Sequence, residues 1–218
     1  YCRETIEAGK SLRVAQQRVR HWAAIALLRC LLSSPQAAAT VLGARADRIV
    51  EDEAKKASAE DVDQAYRPQV LDALGDEQTG DYAPTAPFED ADAAWTDSER
   101  QRLLRFRRRA ADLAGLAADR KLVALRDALR RLLNEGFRPI VFCRFIPTAN
   151  YLETWLAQEL AKSYSRLDVR AVTGEIGDDE RREKIAELVG SDRRILVATD
   201  CLSEGINLQD HFDAVVHY

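Results

Sequence analysis

Apolar residues in the first part of the chain recur at helical spacing. Trp22, Ile25, Ala26, Leu28, Leu31 and Leu32 form a run with few polar interruptions, Arg29 among them, and predict a helix. Ser33-Ser34-Pro35 breaks that run. Ser34 suits an N-cap and Pro35 a first helical position, so a second helix is expected through Ala37–Ala46. Weaker helical periodicity continues over Ile49–Leu74. Residues 76–99 then change character: Asp76, Glu77, Asp81, Glu89, Asp90, Asp92, Asp97 and Glu99 occur without a Lys or Arg, beside Pro84 and Pro87. This composition predicts a loop or linker, with Trp95 pinning its end to a core.

Thr96-Asp97-Ser98-Glu99 is a capping-box pattern and opens the next helix. Leu103, Phe106, Ala110 and Leu113 keep helical spacing along it, which leaves Arg100, Arg102, Arg105, Arg107, Arg108 and Arg109 on the other faces. Those arginines read either as a basic surface for a phosphate backbone or as a solvated face neutralised by the acidic segment before it. A further helix is expected over Asp119–Asn134, with Leu122, Leu125, Leu129, Leu132 and Leu133 as its apolar stripe. Glu135-Gly136 supplies its stop.

Beyond this point short apolar runs alternate with helical stretches. Strands are expected at Pro139–Cys143, Leu167–Val172, Arg194–Ala198 and Ala214–His217. Helices are expected at Thr148–Ala161, capped by Thr148, and at Asp178–Val189, whose first turn carries Asp178, Asp179 and Glu180 where the helix dipole favours them. Strand, helix, strand, helix, strand predicts an α/β fold with a parallel sheet and right-handed crossovers. The strands are continuous apolar runs, as expected when helices cover both faces. The chain therefore divides into a helical region (1–75), an acidic linker or loop (76–98), helices leading into the α/β part (99–137) and the α/β part itself (138–218).

Composition adds bounds. The 218 residues are 46% hydrophobic and 31% charged, with a net charge of −4. These are values of a soluble globular protein, and nucleic-acid binding would need a local basic patch. Cys2, Cys30, Cys143 and Cys201 form no CxxC pair and no zinc-ligand spacing, which points to reduced thiols in a cytoplasmic protein. Cys143 and Cys201 lie on or beside strands and read as small buried hydrophobes. No signal peptide or membrane span is visible, since the run from Trp22 to Leu32 is about half a span long and carries Arg29. The chain opens on Tyr1, contains no Met and stops just after a strand. It is expected to be a piece of a longer protein.

Candidate chemistry gathers at three strand ends: Arg144 to Thr148, Thr173-Gly174, and Thr199-Asp200 with the turn at Gly205. In a parallel sheet these emerge on one edge, where open α/β sheets bind ligands. Hydroxyls, an arginine and helix starts on one edge suit phosphate. Each has a plainer reading. Thr199 and Asp200 are typical caps, Asn207 is a typical turn residue, and Arg181 is placed for an ion pair with nearby acids.

These positions resemble the second lobe of superfamily 2 helicases and translocases. The similarity runs over about residues 119–218. It rests on Asp119-Arg120-Lys121, Ile140-Val141-Phe142-Cys143-Arg144, Thr173-Gly174, Arg181, and Leu196-Val197-Ala198-Thr199-Asp200 through Gly205-Ile206-Asn207-Leu208, the last being the motif usually called V. Gly-Ile-Asn-Leu-Gln and the helical region ahead of the lobe look most like the Swi/Snf-type branch. Members of the DEAD-box branch more often carry Asp where Asn207 stands. The resemblance implies a partial RecA-like lobe. It also implies that Arg144, Thr173 and Thr199 contact the backbone of DNA, and that Glu204, Gly205 and Asn207 face the nucleotide at the cleft to an N-terminal RecA-like lobe. Gly205 would allow close backbone approach. ATP and Mg2+ are implied for the full-length protein. The Ala/Leu/Arg-rich helices ahead of the lobe bear a loose likeness to bacterial phage-defence helicases.

Three family elements are missing: the phosphate loop, the Asp-Glu magnesium site and the final arginine-finger motif. Two look-alikes fail. Gly9-Lys10-Ser11 has Glu4 where a phosphate loop needs its first Gly, and Glu51-Asp52-Glu53-Ala54 follows no strand. No catalytic residue and no metal ligand is therefore assigned, and these 218 residues are expected to be inactive as an ATPase alone. Two other readings stay open: a nucleotide- or sugar-binding α/β enzyme, and a non-catalytic RecA-like scaffold whose N-terminal helices bind a protein partner.

Overall fold

The computed structural model describes residues 2–8, 10, 14–47, 60, 63, 97–199, 202 and 207–218. Most of the periodic stretch Ile49–Leu74, residues 76–96 of the acidic segment including Trp95, and Asp200, Glu204 and Gly205 lie outside the described residues. The chain separates into two compact units, Tyr1–Ala111 and Asp112–Tyr218.

The described helices of the first unit are α1 (Cys2–Ala8), α2 (Val14–Ser33), α3 (Pro35–Asp47) and α4 (Asp97–Asp112). Ser34 caps α3: it is buried, and its Oγ accepts the Ala37 N–H at 3.1 Å. The core here is alanine-rich, drawing Ala23, Ala24, Leu27 and Cys30 from α2 and Ala37, Ala38, Val41 and Leu42 from α3. Small side chains let helices approach closely and interdigitate. The apolar stretch of α2 is not buried all round, since Leu28, Leu31 and Leu32 stay exposed.

Helix α4 buries Leu103 completely. Its arginines divide. Arg100 donates to the Ala46 carbonyl at 3.1 Å, Arg102 pairs with Glu4 at 2.7 Å, and Arg107 pairs with Asp47 at 3.8 Å. Arg105, Arg108 and Arg109 are exposed. Leu113, expected on the apolar stripe, lies beyond the helix end and is 54% exposed.

The second unit contains α5 (Arg120–Asn134), β1 (Pro139–Phe142), α6 (Ile146–Leu160), β2 (Leu167–Val172), α7 (Asp178–Val189), β3 (Arg193–Ala198) and β4 (Ala214–His217). Asp119 caps α5, accepting from the N–H groups of Lys121 at 2.9 Å and Leu122 at 3.1 Å. The helix stops as its Gly predicts. Gly136 has φ +89°, its N–H reaches the Leu133 carbonyl, and the Phe137 N–H reaches that of Leu132. This is the paired bonding of a Schellman end.

The expected cap at Thr148 is corrected. Helix α6 begins earlier, at Ile146, with Phe145 in the cap position and no side-chain cap bond. Pro147 explains the shift, because its fixed φ and missing N–H suit a first turn. Thr148 is instead wholly buried inside that turn.

The sheet is four-stranded and parallel in the order β2-β3-β1-β4. One face carries the core of α5 and α6, including Leu122, Leu125, Leu129, Leu152, Leu156 and Leu160 against Val141, Val169, Ile195 and Val197. The other face carries Ile185 and Leu188 of α7 with Leu202, Leu208 and Phe212 against Ile140, Val172, Leu196 and Ala198. Central β3 is buried from Arg194 to Ala198, whereas edge strand β4 alternates half-buried and exposed. Among the described residues no helix is long and apolar enough to cross a membrane.

Candidate nucleic-acid and nucleotide interface

Strand register sets the geometry of the site. Val172 pairs with Ala198, Ala198 with Phe142, and Phe142 with His217. The next residue of each strand therefore stands in one row along the carboxyl edge, in the spatial order Thr173, Thr199, Cys143, Tyr218. At about 4.8 Å between neighbouring strands, the row is roughly 14 Å long. Backbone bonds hold it level. Cys143 N–H donates to the Ala198 carbonyl at 2.9 Å, Thr199 N–H to Val172 at 3.3 Å, and Tyr218 N–H to Phe142 at 2.9 Å.

Connections leave β1 and β3 on opposite faces. The chain after β1 enters α6, in the first core, whereas Leu202, Leu208 and Phe212 after β3 pack in the second. Open α/β sheets take ligands outside the carboxyl ends of the strands at such a point. Arg144 follows β1 and Thr199 follows β3 there.

The sequence-derived positions differ in access. Arg144 is half-buried, with its guanidinium carbon 5.9 Å from the Phe145 ring centre. Thr173 is 5% exposed and Thr199 fully enclosed. Asn207 is exposed, and its amide donates to Asp210 Oδ2 at 2.8 Å. Glu204 and Gly205 lie outside the described residues, so of the three positions expected to face a nucleotide only Asn207 is described. Arg181 donates to the Ile176 carbonyl at 2.8 Å and pairs with Asp178 at 2.9 Å. It thereby ties down the turn that follows Thr173-Gly174. Arg144 and the two threonines are brought to one edge, while Arg181 stays one helical turn into α7.

Sequence reasoning missed a polar network beside the row. Asp119 is buried, and its Oδ2 accepts from the hydroxyls of Tyr151 at 2.9 Å and Tyr218 at 3.5 Å. Tyr151 in turn accepts the Gly115 N–H at 2.9 Å. Burial, then the neighbouring Asp119 charge, pushes both phenols above their ordinary value; the Gly115 hydrogen bond opposes this at Tyr151. The Lys121 ammonium sits 3.9 Å from the Tyr218 ring centre, and burial lowers its pKa against the opposing pull of Asp119. Asp119 was read in sequence as the first residue of the helix that it caps. Its two tyrosine partners lie 32 and 99 residues away and carried no local signal.

Arg194 was also missed as a polar centre, because it reads as one more strand residue. It is 6% exposed and donates to the carbonyls of Val189, Ser191 and His211. Among the described residues no three His, Cys, Asp or Glu side chains cluster to hold a metal.

Comparison with known proteins places the second unit. A model described as the helicase conserved C-terminal domain matches residues 120–218. No curated protein matches the chain. Among solved structures, a Sulfolobus solfataricus SWI2/SNF2 ATPase C-terminal domain is similar at 16% identity and a TM-score of 0.40, over 59% of this chain and 59% of that one. The chain thus spans under two thirds of the length of that structure. Nearly the whole second unit, residues 120–218, is thus similar to the helicase conserved C-terminal domain.

Proposed function

We propose that this lobe grips the backbone of DNA and completes an ATP site against a separate RecA-like lobe, as half of an ATP-driven helicase or translocase of the Swi/Snf type. The observation that supports this best is the strand-end row, in which Thr173 and Thr199 stand level beside the Arg144 loop that follows β1. Small hydroxyls and a cation recognise phosphate without reading bases, so tracking is independent of sequence. Thr199 has no exposed surface. Its contact with a phosphate therefore requires its surroundings to open on binding.

The phosphate loop and Mg2+ ligands belong to the other lobe in this reading. ATP, when bound between the lobes, supplies the phosphoryl transfer that drives closing and opening. Glu204, Gly205 and Asn207 are this chain's proposed contribution to the nucleotide cleft. The protein is proposed to act in the cytoplasm of a bacterial cell. A second role is favoured by the exposed Leu28, Leu31 and Leu32 of α2, which suit a protein partner for the helical unit.

The test is DNA binding and DNA-stimulated ATP hydrolysis by the full-length protein over a salt series. Arg144→Ala and Thr199→Ala are each expected to weaken binding, and Arg144→Ala to flatten the log–log salt slope by about 0.7–0.9. Unchanged binding and stimulation in both variants would sink the reading.

A further inference from the structure

Resting on the nucleic-acid reading above, we infer that Lys121, seated on the ring of Tyr218, is a phosphate contact that extends the backbone grip to the β4 end of the strand-end row. Tyr218 belongs to that row by register, one residue beyond the Phe142–His217 pair, and its N–H is bonded to the Phe142 carbonyl at 2.9 Å. Lys121 comes from a different element, the first turn of α5, and its ammonium lies 3.9 Å from the centre of the Tyr218 ring. A cation this close to an aromatic face is held in place by the ring quadrupole. The residue as a whole remains exposed, so the ammonium is held by the ring without being enclosed.

Three features give the pair its chemistry. First, Asp119 is fixed in place, accepting two backbone N–H groups on Oδ1 and two phenol hydroxyls on Oδ2, and its charge attracts Lys121 to this end of the row. Second, those phenol bonds fix Tyr218 from its hydroxyl end while β1 fixes its backbone, so the ring is a rigid platform. Third, the ring face that carries Lys121 is covered, which disfavours a stacked base there and favours a charged group. A single compact ammonium recognises phosphate as a point charge. With Arg144 at the β1 end and Thr173 and Thr199 beyond it, Lys121 makes the row basic at the side nearest β4.

The probes are a labelled oligothymidylate and a labelled DNA duplex of equal length, with the full-length protein, titrated at several salt concentrations. Lys121→Gln is expected to weaken binding about fivefold and to reduce the salt slope by about 0.7–0.9, the signature of one lost phosphate contact. Lys121→Arg is expected to restore both. Tyr218→Leu, which removes the platform and leaves the charge, is expected to weaken binding while largely keeping the slope. Urea midpoints of the variants report folding separately. If Arg144→Ala weakens binding but Lys121→Gln leaves affinity and slope unchanged, this inference is wrong and the backbone-grip reading survives. If neither substitution matters, both fall together. If Lys121→Gln weakens binding of a fluorescent ATP analogue and leaves the DNA salt slope alone, the lysine serves the nucleotide and the inference also fails.

Discussion

The Tyr151 hydroxyl donates to Asp119 Oδ2 at 2.9 Å and accepts the Gly115 N–H at the same distance. One phenol thus joins the loop entering the lobe, the start of α5 and the middle of α6. Tyr151→Phe removes the donor and leaves a buried N–H without its acceptor, so a loss of about 1–3 kcal/mol is expected. Asp119→Asn keeps a competent cap and is expected to cost less than Asp119→Ala, which also loses about 1 kcal/mol of capping. Urea unfolding of the three variants checks the order. Equal losses for Asn and Ala would show that capping contributes nothing here.

The same network sets an alkaline limit. Tyr151 and Tyr218 both titrate above the ordinary 10.0 in the fold, from burial first and Asp119 after it. A proton held more tightly in the folded state gives stability that is complete below the unfolded value and is lost as pH rises above it. Stability is therefore expected to hold to about pH 10 and then fall, with tyrosinate absorbance lagging behind until unfolding. In Tyr151→Phe the decline should be shallower. Ordinary titration of both phenols in the native protein would refute the assignment.

Gly115 has φ +93°, and a Cβ placed on it would lie 2.6 Å from the Trp155 ring. Gly115→Ala meets backbone strain of about 1–3 kcal/mol and a clash with a large, half-buried indole. A lowered urea midpoint with an unchanged m-value is expected. A variant as stable as the parent would mean that the loop can adopt another path.

The path of the chain was largely legible in its apolar pattern. Continuous runs such as Ile195–Ala198 are short enough to be strands and apolar enough to be buried on both faces, as β3 is. Ser34, Pro35, Asp119 and Gly136 announce helix ends because each acts through bonds within a few residues. Phe145–Thr148 misled for a related reason: Thr is a good cap, but Pro147 one position earlier moves the helix start. The strand-end row was legible as three loops on one sheet edge, without their spatial order. Its fourth member, Tyr218, and the lysine upon it depend on strand order, which no local pattern encodes. Leu28, Leu31 and Leu32 carry the same lesson for helices, since hydrophobicity alone does not tell which side of α2 meets a neighbour.

Arg138 and Asp213 clasp the opposite edge of the sheet. Asp213 accepts from the Arg138 backbone N–H at 2.5 Å and from its guanidinium at 2.6 and 2.9 Å. Burial raises the carboxyl pKa, but these bonds and the Arg138 charge outweigh it and hold the group below its ordinary 3.8. A depressed carboxyl gives stability that is present above the unfolded value and lost as pH falls through the folded one. Asp213→Ala is expected to cost about 1 kcal/mol at neutral pH, a modest figure because the pair is partly exposed. The difference from the parent should shrink below about pH 4, where the parent too loses the interaction. A constant difference down to strong acid would exclude the ion pair as its cause.

Arg194 offers the sharpest separation of charge from geometry. Its Nη1 reaches the carbonyls of Val189 at 3.0 Å and Ser191 at 2.7 Å, while Nη2 reaches that of His211 at 2.9 Å. The guanidinium thus joins the end of α7, the start of β3 and the turn that brings the chain back from the carboxyl edge. Its carbon also lies 5.5 Å from the Phe212 ring centre. Arg194→Met keeps much of the packing and strips the carbonyls of their donor, for an expected loss of about 3 kcal/mol or more. Arg194→Lys keeps the charge, but one ammonium cannot reproduce a planar fork aimed in several directions. About half the loss is expected for it. Because Leu208 and Phe212 belong to the core that anchors this turn, loosening it should also weaken the proposed nucleotide binding without changing the salt slope of the proposed DNA binding. Urea melts together with ATP-analogue binding test the argument, and a lysine variant as stable as the parent would show that charge alone holds the turn.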